Sequence, residues 1–171
     1  MSTPQMFDLS QTVCVNPATG EIVGYSRMNA PEEAREAIRR ARAAQPAWAA
    51  LPLAERERYL ARIRDYLVDN ADAVSETIAK DVGKTRVEAL ATEVLTSALA
   101  TDYYLKNARR FLRPRKVRGG SLLFLNKRSR IFRTPFGVIG IIAPWNYPLG
   151  IPMHEIVPAL LAGNAVIFKT A

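Results

Sequence analysis

The sequence has 171 residues, of which 49% are hydrophobic, so it is long and apolar enough for one domain with a buried core. No run of about 18 apolar residues occurs, and residues 1–6 lack the basic and apolar regions of a signal peptide, which favours a soluble, cytoplasmic protein without a membrane span. Cys14 is the single cysteine and excludes an intrachain disulfide. The formal net charge of +8 requires an explanation.

Helical patterns dominate the first two-thirds of the chain, after one predicted hairpin. The hairpin is indicated by two β-prone runs within residues 13–23, which flank an Asn, a Pro and a Gly. Pro31, followed by two glutamates, starts a helix that is expected to stop near Pro46. Apolar residues at helical spacing predict three more helices: one over about residues 53–68, one after a cap at Asn70, and a long one over about residues 85–112.

The segment Gly83-Lys84-Thr85 has the ending of a phosphate-binding loop. That loop requires a glycine five positions before Gly83, where Ile78 stands, so a nucleoside triphosphatase is excluded. We expect instead that Gly83 ends one helix in a left-handed conformation and that the next helix starts directly after it.

Basic residues are concentrated between Lys106 and Arg133, in a stretch without one acidic residue. Clustered Lys and Arg side chains bind phosphates, so a nucleic-acid surface is one interpretation, but no nucleic-acid motif or aromatic platform accompanies them. The favoured interpretation is a solvated face, or an arm whose counter-charges lie on another subunit or on further chain. Two β-prone runs, 121–125 and 129–133, flank a polar turn here and predict a second hairpin, whose apolar surface needs a cover.

The last part of the chain has the pattern of one βαβ unit. Residues 138–143 form an apolar, β-branched run typical of a strand buried on both faces, and residues 165–168 form a second strand. The segment between them predicts a helix over residues 151–162, capped by Gly163. Because ligands bind beyond the carboxyl ends of such strands, the loop at 144–148 and Lys169 form a candidate site. The fingerprint Gly-x-Gly-x-x-Gly is absent, so spacing alone indicates only a nucleotide-binding-like unit.

Two long motifs, GVIGIIAPWNYP at residues 137–148 and PALLAGNAVIFK at residues 158–169, closely resemble the aldehyde dehydrogenase superfamily. NPATGE at 16–21, the region of Trp48 and DVGKT at 81–85 resemble it too, so the resemblance covers nearly the whole chain but only the amino-terminal third of a typical member. It implies an α/β fold with the catalytic domain absent: a helical part of the cofactor domain over residues 1–118, a β-hairpin oligomerisation arm over 119–135, and the first βαβ unit of a Rossmann-like parallel sheet over 136–171.

The same resemblance implies an NAD(P)-dependent oxidation of an aldehyde to a carboxylic acid, with NAD or NADP as cofactor and no metal. In the family a cysteine thiolate attacks the aldehyde, donors hold the oxyanion, hydride passes to the nicotinamide, and a glutamate activates water. Asn146 matches the oxyanion asparagine and Lys169 the lysine beside the adenosine ribose. Matching positions along the cofactor path are Ile142, Ala143, Pro144 and Trp145, and those near the substrate passage are Tyr147, Ile151 and His154.

Plainer roles compete with four of these assignments when the residues are considered alone. Asn146 would be a turn residue before Tyr-Pro, and Trp145 would belong to the core. Lys169 would be solvated, and a lone histidine such as His154 is more often structural than functional.

By the resemblance, the nucleophilic cysteine and the general-base glutamate lie beyond residue 171, so this chain is expected to be inactive alone. Cys14 has no basic activator nearby in sequence and is expected to be a buried small hydrophobe. The expected partners are the aldehyde in the complete enzyme and a homo-oligomer or complementary chain bound through residues 119–135. Two alternatives stay open: a non-catalytic pseudo-enzyme or interaction module, and, less favoured, a basic nucleic-acid binder.

Overall fold

A computed structural model describes residues 11–117, 120 and 126–170 of the chain. It begins with the predicted hairpin, in which β1 (Gln11–Val15) pairs antiparallel with β2 (Ile22–Arg27). The turn is closed by Asn16, whose side-chain oxygen accepts a hydrogen bond from the backbone N–H of Ala18 at 2.9 Å. An Asx turn of this kind is why the Asn-Pro-Ala-Thr-Gly segment reverses the chain.

Helices occupy most of the chain between the hairpin and residue 112. The prediction of a helix-rich amino-terminal part is confirmed, with α1 (Pro31–Ala50), α2 (Leu53–Asp69), α3 (Ala71–Val82), α4 (Arg86–Ala89) and α5 (Leu95–Leu112). Asn70 lies between α2 and α3 as predicted, but its side chain donates back to the carbonyl of Tyr66 at 2.9 Å. Asn70 is therefore the N-cap residue of α3 by position, but its side chain closes α2.

The prediction that the first helix stops near Pro46 is wrong, because α1 continues through Pro46. A proline inside a helix removes one backbone hydrogen bond and usually ends or kinks it. Here two side chains that flank Pro46 hold the last turns of α1 against residues 160–163. Gln45 Nε2 donates to the carbonyl of Gly163 at 2.8 Å, and Trp48 Nε1 donates to that of Leu160 at 2.9 Å.

One π-helical turn (Leu90–Val94) separates α4 from α5 within the long predicted helix. The helix begins as expected at Thr85, whose hydroxyl accepts from the N–H of Glu88 at 3.1 Å. The hydroxyl of Thr96 donates to the carbonyl of Thr92 at 2.6 Å. A π turn inserts one extra residue and rotates the side chains that follow, and such turns are frequent at functional sites.

The hydrophobic core lies where α2, α3 and α5 meet the helix of the carboxyl-terminal βαβ unit, α6 (Gly150–Leu161). Burial of one large aliphatic side chain contributes about 1.5–3 kcal/mol, so this cluster stabilises the packing of these helices. The buried members of the cluster are Leu60, Leu67, Ile78, Ala89, Val94, Ala108, Met153, Val157 and Leu161.

Among the described residues no helix is both long and apolar enough to cross a membrane.

A buried guanidinium ties α1 and α6 together. Arg56 Nη1 donates to the carbonyls of Ala49 at 3.0 Å and Leu51 at 2.7 Å, and Nε donates to that of Leu161 at 3.1 Å. Burial lowers the pKa of Arg56 from its ordinary value, and the group stays charged. Arg56 thus satisfies carbonyls at two helix ends, which would otherwise lack donors.

A short antiparallel pair follows α5 and lies partly where the second hairpin was predicted. Its strand β4 (Ser129–Ile131) agrees with the predicted run 129–133, whereas the predicted run 121–125 lies outside the described residues. The partner that the structure describes is β3 (Arg115–Val117), which precedes the predicted arm boundary at 119. The sequence did not indicate β3, because its basic residues lack an alternating apolar pattern.

The chain ends in the predicted βαβ unit, with β5 (Val138–Ile142) and β6 (Ala165–Lys169) parallel and α6 between them. Gly163 has a φ of 88° and ends α6 in the left-handed conformation, as predicted. The expectation that β5 is buried on both faces is wrong for this chain, since Ile142 is 78% exposed. Helices α1 and α6 pack against the two strands but leave this end of β5 uncovered.

Replacement of Arg56 with Met should destabilise the fold by about 2–3 kcal/mol, because three carbonyls, in one buried and two partly buried hydrogen bonds, lose a charged donor. Urea unfolding of the complete gene product measures the change. Arg58→Met is the matched control: Arg58 is exposed, pairs with Glu55 and lies 6.0 Å from the Tyr59 ring centroid, so its loss should cost no more than about 0.5 kcal/mol. Equal effects of the two substitutions would contradict the role given to Arg56.

The chain expressed alone should associate, because its two-stranded sheet has uncovered apolar surface. Phe136 is 93% exposed and Ile142 78% exposed, and the strands have no further partners among the described residues. Light scattering after size-exclusion chromatography should find oligomers or aggregates rather than a 19.0 kDa species. A monomeric profile with a cooperative thermal transition would contradict this expectation.

Candidate functional site

The carboxyl ends of β5 and β6 meet at one edge of the parallel pair, where the sequence placed the candidate site. Ile142 is opposite Lys169 in the strand register, and the N–H of Ala143 donates to the carbonyl of Lys169 at 3.3 Å. The loop at 144–148 leaves the sheet directly after this contact. The structure therefore brings Lys169 and the loop to the same edge.

Four of the five candidate cofactor residues present exposed side chains at this edge. Ile142 and Trp145 are 78% and 70% exposed, and Pro144 and Lys169 are also exposed. Ala143 is buried and carries the backbone hydrogen bond instead. The alternative that Trp145 is a core residue is wrong, whereas the solvated position of Lys169 agrees with its plainer interpretation. Lys169 Nζ donates to the carbonyl of Thr170 at 2.7 Å.

Asn146 lies in the turn that follows Trp145, with its side chain exposed. Its backbone carbonyl accepts a hydrogen bond from Lys84 Nζ at 2.9 Å. Within the described ranges its side-chain amide makes no hydrogen bond to the protein. The residue is thus a turn residue whose backbone is held and whose amide N–H groups are available to a ligand.

The three candidate substrate-passage residues follow Asn146 along the loop and the first turns of α6. Tyr147 is half-buried, and its ring centroid lies 4.0 Å from Lys84 Nζ, at cation–π distance. Ile151 is 40% exposed. His154 is exposed, and its Nδ1 donates to the carbonyl of Gly150 at 2.6 Å, a local helical contact that requires the proton on Nδ1.

A buried ion pair beneath the loop was missed by sequence reasoning. Lys84 had been assigned only to a helix boundary, and Glu93 had not been singled out. Lys84 Nζ lies 2.5 Å from Glu93 Oε1, with side chains 8% and 0% exposed. The other carboxylate oxygen, Oε2, accepts from the N–H groups of Leu149 at 2.9 Å and Gly150 at 3.2 Å.

Local backbone features place both members of this pair. Gly83 has a φ of 80° and sits against the Pro17 ring, so that an added Cβ would come within 2.5 Å of Pro17 Cγ. This left-handed step ends α3 and sends Lys84 towards the loop. Glu93 lies in the π turn, three residues after Leu90 and beside Val94. A carboxylate within an apolar helical stripe was the available signal, because buried acids are rare unless paired.

Cys14 is only half-buried, so the expectation of a buried small hydrophobe is wrong. It lies in β1 and lines an open cavity of about 670 Å³ between the amino-terminal hairpin and α3. Tyr25 and Tyr66 line the same cavity, and Leu149 forms part of its wall.

The basic stretch from Lys106 to Arg133 is a solvated surface wherever it is described. Lys106 pairs with Asp102 at 2.5 Å, and the described Arg and Lys residues after it are exposed and form no ion pair with other described residues. The hydrogen bond from Lys106, with one from Arg64, lowers the pKa of Asp102. This arrangement fits the solvated-face interpretation.

Comparison with known proteins identifies relatives over nearly the whole chain. The sequence matches the aldehyde dehydrogenase family over residues 7–171. It is 37% identical over 161 residues to a 4,4'-diapolycopene aldehyde oxidase of a Methylomonas species, covering 94% of this chain and 30% of that protein. It is 36% identical over 151 residues to a putative NADP(+) succinate-semialdehyde dehydrogenase of Mycolicibacterium smegmatis, covering 88% and 29%.

Solved structures have the same arrangement of elements. An aldehyde dehydrogenase from Brucella melitensis biovar abortus superposes with a TM-score of 0.87 at 28% identity, over 94% of this chain and 32% of that one. An NADP-dependent glyceraldehyde-3-phosphate dehydrogenase from Bacillus halodurans, in complex with NADP, gives a TM-score of 0.85 at 30% identity, over 94% and 34%. The chain thus spans about a third of the length of its relatives, and it belongs to the aldehyde dehydrogenase family.

Proposed function

We propose that this chain contributes the oxyanion donor and part of the cofactor surface to an NAD(P)-dependent aldehyde dehydrogenase, which oxidises an aldehyde to a carboxylic acid in the complete protein. The observation that carries the proposal is Asn146, with its backbone anchored and its side-chain amide exposed at the carboxyl edge of the parallel strands. Family membership supplies the reaction class.

In this proposal Asn146 donates a side-chain N–H to the aldehyde oxygen as that oxygen gains negative charge. A donor held in place before the reaction stabilises the transition state more than the ground state, because the charge develops only during attack. The hydrogen bond from Lys84 to the carbonyl of Asn146 fixes the backbone from which this side chain projects. Tyr147, Ile151 and His154 are proposed to shape the approach of the substrate to this donor.

The surface beside Asn146 fits a dinucleotide. Ile142, Pro144 and Trp145 offer exposed apolar surface at the strand ends, where dinucleotides bind in open parallel sheets. Lys169 offers an ammonium on the neighbouring strand, which can donate to ribose hydroxyls or attract a 2′-phosphate. NAD or NADP, when bound, accepts the hydride from the substrate. Both cofactors are named for structural relatives, NAD for a benzaldehyde dehydrogenase from Corynebacterium glutamicum and NADP for the Bacillus halodurans enzyme.

Assembly and location are part of the same proposal. Residues 1–118 and 136–171 would belong to the cofactor domain, and residues 119–135 would form an arm that joins subunits of a homo-oligomer or a complementary chain. The apolar side chains of Ile131 and Phe132, 43% and 62% exposed, support a covered arm. A cytoplasmic location stays a prediction.

The complete gene product should reduce NAD(P) in the presence of an aldehyde, and Asn146→Ala should lower its kcat by about 100- to 1,000-fold through loss of one oxyanion donor. Absorbance at the wavelength of the reduced nicotinamide measures the rate. Asn107→Ala is the control, because Asn107 lies in α5 and its side chain donates to the carbonyl of Tyr103 in an exposed hydrogen bond within that helix. An unchanged kcat in Asn146→Ala would remove Asn146 from the site.

This chain alone should not oxidise aldehydes, because Cys14 is its single cysteine and we place the nucleophile elsewhere in the complete protein. Cys14→Ser in the complete gene product should therefore retain full kcat. Labelling of the active enzyme with a thiol reagent, followed by peptide mass analysis, should locate the essential thiol outside β1. Loss of activity in Cys14→Ser without unfolding would contradict the proposal.

A further inference from the structure

The Lys84 ammonium in the ion pair beneath the loop makes two hydrogen bonds and one cation–π contact. Of the three N–H groups of Lys84, one donates to Glu93 Oε1 at 2.5 Å and one to the carbonyl of Asn146 at 2.9 Å. The ammonium also lies 4.0 Å from the ring centroid of Tyr147. The lysine therefore holds Asn146 and Tyr147 at the same time.

Glu93 holds the other end of the same loop. Its Oε2 accepts from two consecutive backbone N–H groups, those of Leu149 and Gly150, at the start of α6. These N–H groups belong to the unpaired donors of a helix N-terminus, where a carboxylate is favoured. The segment from Asn146 to Gly150 is consequently tied at both ends to one ion pair.

Stability alone does not account for a charged pair at this position. Removing a carboxylate and an ammonium from water costs several kcal/mol for each ion, and apolar side chains of similar volume often pack as well or better. What an apolar pair cannot do is select one position of a carbonyl and two N–H groups. What this ion pair adds is therefore a fixed position for the Asn146 carbonyl and for the N–H groups of Leu149 and Gly150.

We propose that Lys84 and Glu93 are positioning residues that set the orientation of the Asn146 amide for oxyanion stabilisation. This inference rests on the proposed function of Asn146. Lys84 holds the carbonyl next to the Cα from which the Asn146 side chain projects, and Glu93 holds the helix start that follows. Neither residue touches the substrate, and each acts through Asn146.

A double-mutant cycle in the complete gene product tests the first half of this proposal. Lys84→Met should lower kcat by about 10- to 100-fold with little change in KM, because the donor is misplaced while aldehyde binding is retained. In an Asn146→Ala background, Lys84→Met should cause no further loss, since the donor it orients is already absent. Lys80→Met, at an exposed lysine that pairs with Glu76, is the control and should leave kcat unchanged.

If the kcat losses of the two single variants multiplied in the double variant, the proposal would be overturned, because Lys84 would then act independently of Asn146. Each variant is first compared with the parent by its unfolding midpoint. If Lys84→Met does not fold, Glu93→Gln takes its place in the cycle. Gln keeps the size of Glu93 but cannot present two acceptor oxygens, one to Lys84 and one to the N–H groups of α6.

Hydrogen exchange gives a readout that does not depend on activity. In Glu93→Gln the amides of Leu149 and Gly150 should exchange about 10-fold faster, because they lose a charged acceptor. The matched control is Glu76→Gln, which removes only the exposed partner of Lys80. Unchanged exchange at these two amides would overturn the proposal even if the protein oxidises no aldehyde, whereas an inactive parent enzyme with faster exchange would contradict only the proposed function.

Discussion

Helix α6 is held at both ends by charges from the helical layer, and the position of the site depends on this clamp. The helix has no acidic residue in its first turn and no basic residue in its last turn. Glu93 supplies the negative charge at its amino end, and Arg56 supplies the positive charge at its carboxyl end. Both complement the helix dipole, and both are buried, where such interactions are screened least. The loop that carries Asn146 leads directly into this helix, so the charges that hold α6 also fix the position of the loop.

Most helices and strands could be predicted from the sequence, because turn residues and apolar spacing within each segment indicate them. Residues close in sequence determine the hairpin at Asn16, the left-handed helix ends at Gly83 and Gly163, and the βαβ unit. Pro46 misled the prediction, since the contacts from Gln45 and Trp48 that carry α1 past it join residues more than 100 positions apart. Glu93 was missed for the same reason: its partners at Leu149 and Gly150 are 56 and 57 residues away.

The side chains proposed to meet the cofactor are exposed in this chain for a reason that follows from the sheet. Helices α1 and α6 both pack against the two parallel strands, and the pair has no third strand among the described residues. Parallel sheets are stable when both faces are covered. Within β5, Ile141 is therefore buried by the packed helices, whereas Ile142 at the open end of the strand is 78% exposed.

The π turn explains why the ion pair and the apolar core can occupy the same helix. In a continuous α-helix, the directions of the Glu93 and Val94 side chains would follow from the 3.6-residue repeat of α4. The extra residue of the π turn shifts that phase, so that Val94 enters the core while Glu93 points to the start of α6. The hydroxyl of Thr96 bonds the carbonyls of Thr92 and Glu93 and compensates for the disturbed helical ladder. The irregular turn thus places a charge at the site without removing an apolar side chain from the core.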